Sequence, residues 1–411
     1  MLIFIAISVM VKSMRGVLME EIFETLFAAF PAHTREEWTR QAEKDLKGKP
    51  WTDLRWSLEE GLAIDPIYHP GSLPTNRPPL YGPRDGRGWE IGEIILVDDV
   101  ASANALAREA IAAGVGSPGF LLLHQPSEAD LRQLLEGVDP DRCCLNFGEL
   151  YPDKNPFRLL QMLLDWHRSN GKNIRRFRGS LDIDPFLDWT EPPLEALAGA
   201  IRTCETEAPQ FKILQVNGRY YYAGATETVN ELALVVAKGS EYLACMEDQG
   251  IPAANTHHFL QFSVAIGTEY FIEIAKLRAL RILWNNVLKG FGVHQPTSVE
   301  IIAHLAPESQ DENLHTNMIR AGTQAMSAII GGADRLYILP ADAPAQETPS
   351  PFTRRIARNI HHLLDLEAHI AKVADPAAGS WYIENLTNLL AEKAWARFQE
   401  YDRNGAFKPD A

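Results

Sequence analysis

Phe211-Lys-Ile-Leu-Gln-Val216 is a short apolar run, and from Glu227 to Asp248 it is followed by a long helical stretch. A buried strand leading into a helix is the repeating unit of a parallel sheet, and the unit recurs on both sides of this segment. Upstream, Phe120–His124 precedes a helix opening at Ser127, with Asp130 three residues on as a capping signal. Cys143–Phe147 precedes Pro156 to Asn170, and Arg176–Ile183 precedes Leu194–Thr206. Downstream, Val299–Leu305 precedes Leu314–Ile330, Arg335–Leu339 precedes a helix around Arg354–His369, and Asn385–Tyr401 comes last. Ser263–Asn286 reads as helical throughout and is expected to add one more helix to an outer ring. Strand–helix alternation in one run, with right-handed crossovers and no Gly-rich dinucleotide loop, predicts an α/β fold, a (β/α)8 TIM barrel.

Ahead of the barrel the pattern changes. Thr34 followed by Glu37 signals a capping box, Glu36–Lys47 has helical periodicity and Gly48 reads as its stop. Pro50–Glu90 is rich in Pro, Gly and Trp and lacks a period, so it reads as an extended arm without a core of its own. Met1–Val11 is almost wholly apolar but precedes its positive charges, the reverse of a secretory signal, and it is too short to span a bilayer. Met19 is therefore the expected start. The chain is expected to divide into a doubtful extension (1–18), a helix and arm (19–91) and the barrel (92–411).

Composition narrows the function. Hydrophobic residues make up 46% and charged residues 23% of the 411 residues, which excludes disorder and collagen-like repeats. Lys+Arg 39 against Asp+Glu 54 gives a net charge of −15, so no nucleic acid and no membrane is expected as a partner. The four cysteines, Cys143, Cys144, Cys204 and Cys245, form no Cys-x-x-Cys pair and read as reduced thiols of a cytoplasmic protein. No zinc motif is present, and the adjacent pairs His257–His258 and His361–His362 cannot share a metal. Asp165-Trp-His167-Arg-Ser-Asn-Gly171 approaches a cobalt-binding Asp-x-His-x-x-Gly pattern, but its glycine comes one residue late and reads as a helix stop.

A set of ordered motifs carries more information. These are Gly179-Ser-Leu-Asp-Ile-Asp-Pro-Phe186, Tyr222-Ala-Gly-Ala-Thr226, Glu231-Leu-Ala233, Glu241-Tyr-Leu243, Glu273-Ile-Ala-Lys-Leu-Arg-Ala-Leu-Arg281, Arg355-Ile-Ala-Arg-Asn359 and Asp375-Pro-Ala-Ala-Gly-Ser-Trp-Tyr-Ile-Glu384. With Phe30-Pro31, Glu37-Trp38 and Asp45-Leu-Lys-Gly48 they resemble the coenzyme-B12-dependent methylmalonyl-CoA mutases from about Met19 onward. The resemblance implies a substrate barrel threaded by acyl-CoA, an N-terminal arm clasping a partner subunit and adenosylcobalamin capping one end. In catalytic chains it also implies a flavodoxin-like cobalamin domain behind the barrel. Radical rearrangement is then the cofactor's chemistry, enclosed by the protein.

The sequence departs from the catalytic pattern at several positions. Aligned on Ala223-Gly224-Ala225, the family's substrate-contacting histidine falls on Arg219, followed by Tyr220, Tyr221 and Tyr222. A permanently charged guanidinium does not replace a neutral imidazole. The radical-adjacent tyrosine falls near Arg84, and an arginine–glutamine pair becomes Gly92 and Glu93. A His-x-Gln segment keeps only His304, with Ala306 where its glutamine stood. No cobalamin domain follows before Ala411. These losses resemble the small, non-catalytic subunit of heterodimeric mutases, whose catalytic large subunit holds the adenosylcobalamin. On that reading this chain binds no cofactor and no metal and has no catalytic residue.

Arg219 is then a structural cation paired to a carboxylate, Tyr220–Tyr222 fill the barrel and His304 is a core histidine. Arg355, Arg358 and Asn359 tie a helix to loops, and Asp375 and Ser380 shape the approach to the last helix. Two alternatives stay open: a catalytic barrel using cobalamin from a separately encoded domain, or a barrel that binds a CoA thioester. Small polar side chains along the axis would favour a ligand, and large apolar and aromatic ones an inert core.

Overall fold

The computed structural model describes residues 33–59, 62–72, 88–294, 298–344 and 348–405. The 1–18 extension, the Met19 start and Arg84 lie outside the described residues. The chain forms two compact units divided between His69 and Pro70.

In the first unit, α1 (Arg35–Asp45) carries the expected capping box. The Glu37 amide donates to Thr34 Oγ1 at 3.2 Å, and the Thr34 amide donates to Glu37 Oε2 at 2.9 Å. Lys47 and Gly48 end the helix with φ of 54° and 85°. The stretch expected to be extended and unpaired instead contains a hairpin, β1 (Trp56–Glu59) antiparallel to β2 (Leu62–Ile64). A Trp38–Trp51 edge-to-face contact at 4.8 Å adds local packing that a search for periodicity does not detect.

The second unit is the predicted barrel. Its sheet contains β3 (Glu90–Val97), β4 (Ser117–Leu122), β5 (Leu145–Glu149), β6 (Gly179–Leu181), β7 (Phe211–Lys212), β8 (Leu214–Asn217), β9 (Leu260–Ile266), β10 (Glu300–Leu305) and β11 (Arg335–Tyr337), all parallel. The segments β7 and β8 are two halves of one strand, interrupted at Ile213. The first half pairs with β6 and the second with β9. At the other end β11 pairs with β3, Arg335 opposite Glu90, and the eight-stranded cylinder closes.

Two strands lie in segments that the sequence pattern reads otherwise. Ser263–Asn286 is not helical throughout, because β9 runs to Ile266 and the following helix begins at Tyr270. Every residue of β9 is buried, so the strand lacks the alternation that marks a half-exposed one. Likewise β3 starts at Glu90, within the stretch read as arm. Gly92 and Glu93 interrupt its apolar run, and the structure gives both a use: Gly92 lies under the Tyr337 ring, and Glu93 faces outward to Arg354 and Arg358.

The helices follow as α2 (Val100–Ala112), α3 (Glu128–Leu134), α4 (Pro156–Ser169), the short α5 (Pro185–Asp188), α6 (Leu194–Glu207), α7 (Thr228–Asp248), α8 (Ala253–Phe259), α9 (Tyr270–Gly290), α10 (Leu314–Gly331), α11 (Pro351–His362) and α12 (Trp381–Asn404). Ser127 caps α3 with Asp130 as expected. The helix expected to reach His369 leaves α geometry after His362, where Leu363–Glu367 forms a π-helical turn. α12 packs across α7 and α9. Its anchor is Arg278, fully buried on α9, which donates to Asp375 at 2.5 Å and to Glu384 at 2.6 Å.

Removing that guanidinium leaves two buried carboxylates facing each other. Arg278→Met is therefore expected to destabilise the chain by about 3–5 kcal/mol in urea unfolding. Combining it with Asp375→Ala and Glu384→Leu should restore most of the loss.

Candidate functional site

Along each strand alternate residues face the axis, and much of that face is polar here. At the base of the barrel the Arg335 guanidinium donates to Glu300 at 2.7 Å and to the Cys144 thiol at 3.1 Å. Arg178 pairs with Glu90 at 2.9 Å. These residues and Lys212 line a cavity of about 280 Å³ at the N-terminal ends of the strands. Burial pushes the Lys212 amine below its ordinary range and the Cys144 thiol above its own.

Above this floor two hydrogen-bonded sets cross the interior. Asn146 donates to Ser117 at 2.9 Å and accepts from Ser180 at 2.8 Å. Gln261 donates to Gln215 at 2.8 Å, and Gln215 donates to Asp182 at 2.5 Å. Tyr337 fills the centre, with its ring over the positions where Gly92 and Gly119 have no side chain. The His304 ring stacks on Tyr337 at 4.7 Å. Burial holds His304 well below its ordinary range, with Arg219 and Arg335 adding repulsion, so it is neutral. Burial likewise lifts Tyr337 to about 12.

Arg219 lies at the mouth, on the turn after β8. It donates to Asp182 at 3.3 Å and to Asn217 at 3.1 Å, and its carboxylate partner is itself raised by burial. The following tyrosines do not fill the barrel as expected. Tyr220 is 71% exposed. Tyr221 lies over the Lys238 ammonium of α7 at 4.9 Å, and Tyr222 over the Lys276 ammonium of α9 at 5.1 Å. Both lysines are buried, Lys238 against Asp184 at 3.0 Å and Lys276 against Glu273 at 2.7 Å. The tyrosine run is therefore a cover over two helices, and Tyr337, absent from the sequence reading, occupies the axis.

The remaining candidates have local roles. His167 is buried against Phe177, and Gly171, at φ 66°, follows the end of α4. His257 accepts from Trp284 while His258 bonds Pro209, and His361 accepts from Trp89 while His362 bonds Ala113. The members of each pair thus have separate partners. Arg358 ties α11 to Glu93 and Glu109, Arg355 stacks on Phe352, and Ser380 is the N-cap of α12. Among the described residues no cluster of three or more His, Cys, Asp or Glu could hold a metal, and no helix is long and apolar enough to cross a membrane.

The geometry defines a (β/α)8 barrel with an axis cross-linked by its own polar side chains and an extra C-terminal helix clamped outside α7 and α9. The sequence model of the methylmalonyl-CoA mutase family matches residues 110–409. A methylmalonyl-CoA mutase small subunit from Porphyromonas gingivalis is 32% identical over 93% of this chain and 65% of its own length. The small subunit from Streptomyces virginiae is 30% identical over 92% and 65%, and a methylmalonyl-CoA mutase from Rhizobium meliloti 28% identical over 90% and 58%. The chain belongs to the methylmalonyl-CoA mutase family. It spans 58–65% of the length of these relatives.

Tyr337→Ala removes the ring and its stack on His304 and leaves a void between Gly92 and Gly119. The expected cost is about 3–5 kcal/mol in chemical denaturation, and added phenol should raise the variant's melting temperature by filling the void.

Proposed function

We propose that this chain is a non-catalytic, small-subunit-like barrel that stabilises a catalytic methylmalonyl-CoA mutase large subunit in a heterodimer. The partner would carry adenosylcobalamin and interconvert succinyl-CoA and methylmalonyl-CoA, a reaction of propionate metabolism. This chain would bind no cofactor of its own. The observation that carries the reading is the occupied axis, where Tyr337, His304 and Arg335 fill the space an acyl-CoA would need. The pairing of Arg219 to Asp182 adds to it, because a cation held by a carboxylate is poorly placed to handle a thioester. The four cysteines are free and buried, which suits a reducing cytoplasm.

One observation favours a CoA-binding barrel as the second reading. Gly92, Ser117, Gly119, Ser180 and Ser263 keep several axial positions small, and the basal cavity adjoins cationic groups. Calorimetric titration with CoA separates the two readings, since saturable binding to the isolated chain would favour the second.

Co-expression with a catalytic large subunit should give a one-to-one complex on size exclusion, whereas separate elution would count against the partner role. The isolated chain should neither bind adenosylcobalamin nor turn over methylmalonyl-CoA. Arg219→His should leave it equally inactive, because the change frees Asp182 without clearing Tyr337. Turnover gained from that single substitution would overturn the proposal.

A further inference from the structure

The cluster under Tyr222 has a feature that neither the packing of the barrel nor the partner role requires. Lys276 of α9 is buried between two carboxylates, with its ammonium 2.7 Å from Glu273 Oε2, 3.3 Å from Glu231 Oε2 of α7 and 2.8 Å from the Ala265 carbonyl at the end of β9. All three side chains are at most 2% exposed. Glu231 Oε1 and Glu273 Oε1 have no hydrogen-bond donor among the described residues. Two ionised carboxylates and one ammonium would leave a net negative charge in a dry site, which is costly to bury. One proton on Glu231 removes that charge.

We propose that Glu231 holds a proton in the closed structure, and that releasing it is coupled to lifting Tyr222 and opening the segment Gly218–Glu227 at the barrel mouth. The other sides of the cluster are closed. Lys276 faces it from α9, and Arg278, two residues further along that helix, is bound to Asp375 and Glu384. From β9 the Ala265 carbonyl reaches the ammonium. Tyr222 faces it from the loop, with Glu269 as a further charge acting on the phenol. Tyr222 is also the half-buried side chain of the group, so water reaches the carboxylates by displacing it. Burial raises Glu231 from 4.5 to about 7 despite Lys276. A carboxyl raised on closing favours the closed form at low pH, and that advantage is lost as pH rises toward about 7.

Amide hydrogen exchange of the full 411-residue chain, corrected for the intrinsic pH dependence of exchange, tests this directly. Protection of peptides spanning Gly218–Glu227 should fall about tenfold per pH unit between about pH 5 and about pH 7, the slope of one released proton, and then level off. In Glu231→Gln, which cannot ionise, protection should not vary with pH. A wild type without that slope, or a variant that keeps it, would overturn the proposal. Should Glu231→Gln not fold, infrared difference spectra of the wild type decide. A protonated buried carboxyl band present at about pH 6 and lost by about pH 8 supports the retained proton, and absence of the band at about pH 6 refutes it.

Discussion

Arg278 cannot shed its charge, and its side chain on α9 has no access to water. Its position obliges the chain to return after the barrel is complete and deliver Asp375 and Glu384 to the outside of α9. The same obligation is met elsewhere by other partners. Lys238 is answered by Asp184, Lys276 by Glu231 and Glu273, Arg354 by Glu93 and Arg335 by Glu300. Most of these contacts join segments far apart in sequence. A buried pair adds little net stability, but an unmatched member is heavily penalised, so each pair selects one arrangement of helices over its competitors.

The architecture was legible in the sequence where strands were bounded by clear turns and followed by strongly periodic helices. Phe211–Val216 and Leu194–Thr206 were found for that reason. β9 was lost because burial on both faces removes the alternation that distinguishes a strand from a core helix. β3 was lost because its Gly92 and Glu93 look like interruptions until Tyr337 and Arg354 are seen beside them. The hairpin Trp56–Ile64 was missed because three- and four-residue strands are shorter than any periodicity test can resolve.

The candidate site was legible in part. Motif comparison drew attention to Arg219 and His304, and both project into or over the axis. It did not find Asp182, which holds Arg219, although Asp182 lies inside the motif Ser180-Leu-Asp-Ile-Asp184 and has the same parity as Ser180. Nor did it find Tyr337, which stands in the three-residue strand Arg335–Tyr337 with no local signal of function. The three successive tyrosines suggested a filled barrel by bulk alone. The real partners of Tyr221 and Tyr222 are two lysines on α7 and α9, a relation that depends on where the loop after β8 turns.

The interruption at Ile213 gives the cylinder a direction of weakness. Neighbouring strands elsewhere share up to six paired residues, whereas β6 and β7 share only Gly179–Phe211 and Ser180–Lys212 before the chain shifts its pairing to β9. The barrel is in this sense a ribbon wrapped into a tube and fastened by a short zipper between its fourth and fifth strands. At that zipper Gly179 has no room for even a methyl group against the Leu145 carbonyl. Thermal opening would start along this line and unroll the tube into one open sheet, with β6 at one edge, the divided β7–β8 strand at the other and the β3–β11 pair at its middle.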